Sequence, residues 1–588
     1  MHSARAVLGS GQVKKGKVMK YTSLLAALVL TLAGCSKDAM EPAVVADTVF
    51  IGNNIITMDE ATEGAEAVAL KDGKILVVGS RQAATAHIGE STEVIQLGDK
   101  ALVPGFIDAH GHFSFVGAMA DMVNLNPPPV GPVTNIASLQ QAIRDFITER
   151  DLEEDQWIYG FGYDDSLLAE GRHPTRHDLD EVSTDIPIVI THVSGHLASA
   201  NTKALDRAGI TVETQNPPGG VIRREADGKT PNGVLEESAT YKIRSSLASI
   251  SSDELDGFSE LVDRAVYEHV KNGLTTVQEG GANPTLVGKL RAVAAQKPLP
   301  VDLVAFPIGN GLESEALENF DYQTQYKDGI RVGGVKFMLD GSPQGRTAYM
   351  REPYDEPPQG VPHPKHYVAY PNIPLEAYEQ RAQILLKNKV PFITHANGDA
   401  AIDMVITAHN DAGITADDDR RSVVIHAQLT RPDHLAEYKR LGLVPSYFVA
   451  HTFFWGDWHR ISFGDERALH ISPLKSSQDL GIHYTVHNDS PVVPPNMMRL
   501  WWTGVERQTR SGFVLGADQR ASPRDVLYAM TQGGAYQYFE EDIKGSLTPG
   551  KQADLVILSE DPLAENATDL KDIAVLQTWA RGKKVFEQ

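Results

Sequence analysis

A chain of 588 residues is too long for one compact core, so at least two domains are expected. Its 54 basic against 77 acidic residues leave a net charge of −23, which argues against nucleic acid or an anionic membrane surface as a partner. The single cysteine excludes an intrachain disulfide and any multi-cysteine metal site.

From Met19, the segment MKYTSLLAALVLTLAGCSKD sets basic residues ahead of an apolar stretch from Leu24 to Leu32, then small residues and Cys35. The stretch is too short for a mature membrane span and reads as a secretory signal. Leu-Ala-Gly-Cys resembles a bacterial lipobox, which makes Cys35 the expected lipidation site and mature N-terminus. An ordinary signal peptide with a chance cysteine is the alternative. On this reading residues 1–35 are a leader and 36–45 a tether. The protein is then exported to the cell envelope and held on the periplasmic side of a membrane by its lipid alone.

Residues 46–100 alternate apolar and polar in DTVFIGNNIITMD, AVALKDGKILVVG and STEVIQL, with Asp72-Gly73 at a hairpin. Residues 545–588 have the same character in GSLTPGKQADLVILSEDP and VLQTWARGKKVF. Neither piece can bury a core alone, so the two are expected to pair into one small sheet domain with the catalytic segment, 101–544, inserted between them.

That segment alternates strands and helices. Apolar runs at LVPGFID, GLTTVQE, VDLVAFP, GGVKFML, VPFITH, SVVIHA, LVPSYFV and IHYTVHND supply eight strands, and PLEAYEQRAQILLKN is the clearest helix, with Leu375, Tyr378, Ala382, Leu385 and Leu386 on one face. The fold class is α/β: a (β/α)8 barrel of the TIM type. About 160 residues separate the first strand from the second, so most of 114–255 is expected to be an insertion over the barrel mouth.

In such barrels chemistry sits at the C-terminal strand ends. His110 and His112 lie just past the first strand, His395 ends the fifth, His426 lies near the end of the sixth, and Asp489 follows the eighth. Imidazoles with a carboxylate suit zinc or a similar divalent metal. Lys336, within the fourth strand, is an ammonium that would repel a cation. It fits only if neutralised or modified, and carbamylation by CO2 would turn it into an anion able to bridge two metals. Taken alone, the lysine points instead to a pair with Asp340.

With these residues in place, the chain resembles the amidohydrolase superfamily, on the branch that includes N-substituted formamide deformylases. The markers are VPGFIDAHGH, GHLASANTKAL, GVKFMLDGSPQGRTA, HANGDAAID, IHAQ, HNDSPVVPP and GSLTPGKQADLVIL, and the likeness covers almost everything from 46 to 588. It implies one or two divalent metals on His110, His112, carbamylated Lys336, His395, His426 and Asp489. It also implies that the flanking strands form a β-sandwich. Two departures are Ile425, where a glutamate is common, and Asn488, where a serine is frequent.

The expected activity is hydrolysis of a non-peptide C–N bond in an amide, N-substituted formamide, cyclic amide or carbamate. Asp489 would transfer the proton, and His426 and His196 complete the catalytic candidates. Tyr163, Asp164, Arg346, His451 and Trp455 are the substrate-binding candidates. The partner is a small molecule, and a homo-oligomer is compatible with the sequence. Two alternatives stand beside this reading: an acyl-amino-acid or dipeptide hydrolase, and a non-catalytic binding lipoprotein.

Overall fold

The computed structural model describes residues 44–152, 156–244, 255–358, 363–565 and 568–588. The leader, Cys35 and nearly all of the tether lie outside the described residues. Among the described residues no helix is long and apolar enough to cross a membrane.

Two four-stranded sheets carry the ends of the chain. One holds Thr48–Gly52, Ala67–Lys71, Lys74–Gly79 and Glu93–Gly98; the other holds Ala101–Pro104, Leu555–Leu558, Val575–Ala580 and Lys583–Glu587. Asp72 and Gly73 both take positive φ, 49° and 75°, as a two-residue hairpin turn requires. The sheets share one core, in which Phe50, Leu70 and Ile75 meet Leu102, Leu555 and Trp579. The Phe50 and Trp579 rings pack edge to face with centroids 5.2 Å apart.

The run LVPGFID divides between this sandwich and the barrel. Ala101–Pro104 pairs antiparallel with Leu555–Leu558, whereas Phe106–Ile107 pairs parallel with the second barrel strand. The sandwich therefore takes in four residues that the sequence assigns to the barrel. Gly105 makes the crossing, where an added Cβ would lie 2.4 Å from Thr275 Oγ1.

The barrel strands are Phe106–Ile107, Leu274–Ala282, Asp302–Pro307, Ile330–Val332 continued by Val335–Met338, Phe392–Ala396, Val423–His426, Val444–Tyr447 and Thr485–Val486. Parallel ladders join the first three strands to Ile330–Val332, and Val335–Met338 to the last four. The fourth strand changes partners at Gly333-Gly334, and a single bridge between Ile308 and Lys336 ties its second half to the third strand. Loop bonds from His112 N to Ser490 O (2.7 Å) and from Asp489 N to His110 O (3.2 Å) stitch the eighth strand's exit to the first's. Ile107, Val304, Phe306, Ile393, Val423, Ile425 and Val444 fill one core cluster between the strands. In the helix Leu375–Asn388, Tyr378, Ala382, Leu385 and Leu386 are buried, but Leu375 is exposed because it opens the helix beyond the end of the buried stripe.

Between the first two barrel strands lies a six-stranded mixed sheet, in the order Gly220–Arg224, Pro231–Glu237, Leu197–Ala200, Ile188–His192, Ile158–Tyr163, Val123–Asn124. One of its faces packs Ile158, Ile188 and Ile190 against Leu139 and Ile143 of the helix Ile136–Arg150. The other buries Tyr159, Val189, Leu205, Ile222 and Leu235. The long gap in the barrel pattern is thus a two-faced structure with its own cores.

Candidate active site

His110, His112, Lys336, His395, His426 and Asp489 all line one cavity of about 620 Å³ at the C-terminal ends of the strands. Asp489 Oδ1 lies 3.3 Å from His110 Nε2 and 3.2 Å from His112 Nε2, and Oδ2 lies 3.9 Å from His426 Nε2. Lys336 Nζ lies 2.9 Å from His110 Nε2. The His395 and His426 rings stand 4.5 Å apart. His110, His426 and Asp489 alone bring three ligand atoms within 4.8 Å of one another.

A second ring of residues orients these groups. Gln278 Oε1 accepts from His110 Nδ1 at 2.6 Å, while Gln278 Nε2 donates to Ala109 O. Asp340 Oδ1 accepts from His395 Nδ1 at 3.0 Å and from Asn397 N, and Oδ2 accepts from Gly398 N. His487 Nε2 lies 3.1 Å from His426 Nδ1, and His487 Nδ1 lies 2.9 Å from Ser446 Oγ. For His110 and His395 the acceptor fixes the proton on Nδ1 and leaves Nε2 with its lone pair, as a metal ligand requires. Asp340 is therefore the partner of His395, and it pairs with neither Lys336 nor Arg346. Gln278 and His487 are not singled out by the sequence, although Gln278 lies inside the second strand run, GLTTVQE, and His487 opens the marker HNDSPVVPP.

Electrostatics agree with a cation site. Burial holds the His110 and His426 imidazoles well below their ordinary range and lowers His395 as well, so all three are neutral. Burial alone would raise the Asp489 carboxyl, but His112, His110 and His426 together hold it well below the carboxylate range. Burial brings Lys336 down to about 8. Neutral imidazoles, an ionised carboxylate and an orphaned buried Oδ1 on Asp489 are a donor set that fits a divalent metal.

His196 lines the cavity, but the five substrate-binding candidates do not. Tyr163 is fully buried in the inserted structure, its hydroxyl 3.2 Å from both His173 Nδ1 and Ser199 Oγ. Asp164 accepts from Trp455 Nε1 at 2.7 Å. His451 Nδ1 lies 2.8 Å from His459 Nε2. The aromatic segment after the seventh strand folds as the helix His451–Ala468 and turns these rings inward, where Trp455 ties the helix to Asp164 of the insertion. Arg346 sits over the Trp458 ring, 4.1 Å from its centroid, beside a separate cavity of about 120 Å³. The apolar wall of the main cavity is built instead by Phe115, Phe161, Tyr241, Ile308, Met338 and Val492.

A strand-alternating barrel with histidines and a carboxylate at one mouth defines a metal-dependent hydrolase class. The sequence profile of the Amidohydrolase family matches residues 93–586. The chain is 26% identical to an N-substituted formamide deformylase of Arthrobacter pascens over 92% of its own length and 98% of that protein's. It is 29% identical to the Protein LONG AFTER FAR-RED 3 of Arabidopsis thaliana, over 94% and 93% of the two chains. Among solved structures, an uncharacterized metal-dependent hydrolase from Pyrococcus horikoshii OT3 superposes with a TM-score of 0.69 at 22% identity, covering 89% of this chain and 99% of that one. The chain belongs to the amidohydrolase family.

Proposed function

We propose that the chain hydrolyses the C–N bond of an uncharged small amide: an N-substituted formamide, a cyclic amide or a carbamate. The observation that carries this reading is the cavity itself. It joins six candidate ligands to an apolar wall, and among its described lining residues Lys336 is the only lysine or arginine. An acyl amino acid or dipeptide brings a carboxylate that needs a cationic partner, and Lys336 is committed to the metal-facing cluster. The 26% identity to a formamide deformylase supports the same bond class.

His110, His112, His395, His426, Asp489 and Lys336 would hold the metal, for which zinc suits this nitrogen-and-oxygen set. When bound, a divalent cation supplies Lewis acidity, polarising a carbonyl and lowering the pKa of water toward about 7. Asp489 takes a proton from the attacking water and returns it to the departing nitrogen. His196 meets the acyl oxygen from the insertion side. A zinc-loaded sample assayed against formamides, cyclic amides, carbamates and acyl amino acids tests the reading. Preference for the acyl amino acids, or no turnover of any neutral amide, would overturn it.

Lys336 is proposed to carry a carbamate, formed when its amine bonds to CO2 and releases a proton. Its depressed pKa makes the free amine available. Lys336→Ala should lose metal by elemental analysis and regain part of it with a short carboxylic acid; a variant with full metal content would exclude the carbamate. Anchoring through Cys35 at the periplasmic face is likewise proposed, on the Leu-Ala-Gly-Cys sequence. Cys35→Ser should move the protein from the membrane to the soluble fraction, and unchanged fractionation would end that proposal.

A further inference from the structure

Glu237 is buried at the cavity wall, on a strand of the insertion, and has no part in the candidate ligand set. Its Oε2 accepts from His196 Nδ1 at 2.7 Å. The two residues face one another because their strands pair antiparallel, with Leu197 opposite Glu236 and Glu237 N donating to His196 O at 2.8 Å. The His196 ring in turn leans on the His395 ring, with centroids 4.9 Å apart.

The chain strains to keep this carboxylate where it is. Glu237 ends its strand at φ 47° and ψ −123°, a backbone region that non-glycine residues adopt only at a cost. The loop after the fourth barrel strand makes room for it. At Gly341 an added Cβ would fall 2.2 Å from Glu237 Oε1 and 2.6 Å from Thr347 Cβ, so a side chain there would displace the carboxylate or the loop. Asn372 Nδ2 approaches Oε2 from a third segment at 3.4 Å. A strained backbone, a residue without a Cβ and an inter-strand bond thus converge on one carboxylate whose closest partner is a histidine beside the metal cluster.

We infer that Glu237 is a positioning residue: it holds the Nδ1–H of His196, fixes that ring at the cavity wall, and leaves Nε2 as the nitrogen that meets the substrate. The carboxylate can only accept, so the bond fixes a proton on Nδ1 and the ring orientation, and a second proton on Nε2 makes that nitrogen the donor to the acyl oxygen. The inference rests on the hydrolytic reading of the site. It gives the insertion a defined part in the reaction, a histidine and its orienting acid supplied from two neighbouring strands.

The test uses the zinc-loaded full-length chain with an N-substituted formamide as probe. Glu237→Ala should lower kcat by about 100-fold with KM little changed and zinc content intact. Glu237→Gln, whose amide oxygen can still accept from Nδ1, should restore part of the loss. The double variant with His196→Ala should be no slower than His196→Ala alone, because the two residues act as a unit. A structural role predicts additive losses and no selective rescue by Gln, and either result would overturn the inference. A second readout needs no turnover: acylation of histidines by diethyl pyrocarbonate, followed by mass spectrometry. The rate at His196 should change several-fold in Glu237→Ala, while that at exposed His177 stays the same. If the parent chain cleaves no amide, the hydrolytic reading fails and acylation alone decides; an unchanged rate at His196 would refute the positioning role.

Discussion

Asp489 and His426 both take left-handed backbone angles, φ 53° and 71°, which non-glycine residues adopt at some cost. For His426 the reason is visible in its strand. Val423 and Ile425 pack into the cluster between the strands and Val424 into the cluster outside them, so plain alternation would send His426 outward. The positive φ re-aims the imidazole into the cavity. Asp489 is turned in the same way toward His110 and His112, three residues past the last paired residue of its strand. Its carboxylate is thereby placed to accept a proton at the mouth, and Asp489→Asn isolates that role by keeping the shape and removing the acceptor. Turnover should fall roughly 100-fold or more while the fold and most of the metal remain. Turnover per bound metal and melting temperature measured on one preparation check this. Near-normal turnover per metal would remove the residue from the mechanism, and a large loss of melting temperature with turnover intact would make it a structural cap.

Among the elements, the fourth barrel strand is the most constrained. It leaves the third strand after Val332 and joins the fifth at Val335, and Gly334 lies so close to Pro391 that an added Cβ would sit 2.0 Å from its carbonyl oxygen. Lys336 owes its place to that switch. Gly334→Ala should cost more than about 2 kcal/mol and displace Lys336, lowering both the melting temperature and the metal content; an unchanged melting curve would contradict this. The eight barrel strands were legible because buried parallel strands are short apolar runs between turn signals. Their terminal polar residues could be aligned once the run ends were known. The division at Gly105 was not legible as a change of sheet, since the apolar run breaks there for one residue and resumes at Phe106 and Ile107. The aromatic stretch from His451 to His459 misled for a related reason: a pocket wall and a packed helix face draw on the same residue types. Phe115, Phe161 and Met338 carry no signal of a cavity wall until the insertion is folded over the barrel.

At the scale of the whole molecule, burial makes the fold sensitive to acid. His269 and His409 are fully buried, each has Nε2 without a partner, and burial pushes each down to about 4. A depressed histidine pKa means the unfolded chain binds the proton first, so stability is complete above about 6.5 and falls as pH drops toward 4. Each site should contribute up to about 3 kcal/mol of that fall. The melting temperature of His409→Leu should therefore decline less between pH 7 and 4.5 than that of the parent; parallel declines would refute the assignment. The sandwich has a consequence of another kind, in time. Its first sheet is finished at Gly98, and one strand of the covering sheet, Ala101–Pro104, follows at once, but the other three begin only at Leu555, about 460 residues later. At ribosomal rates of about 5–20 residues per second, the face of Phe50, Leu70 and Ile75 waits roughly 20 to 90 seconds for Leu555 and Trp579. Through that interval the amino end cannot mature on its own, and a chain that stops short of Trp579 never completes the layer on which its beginning depends.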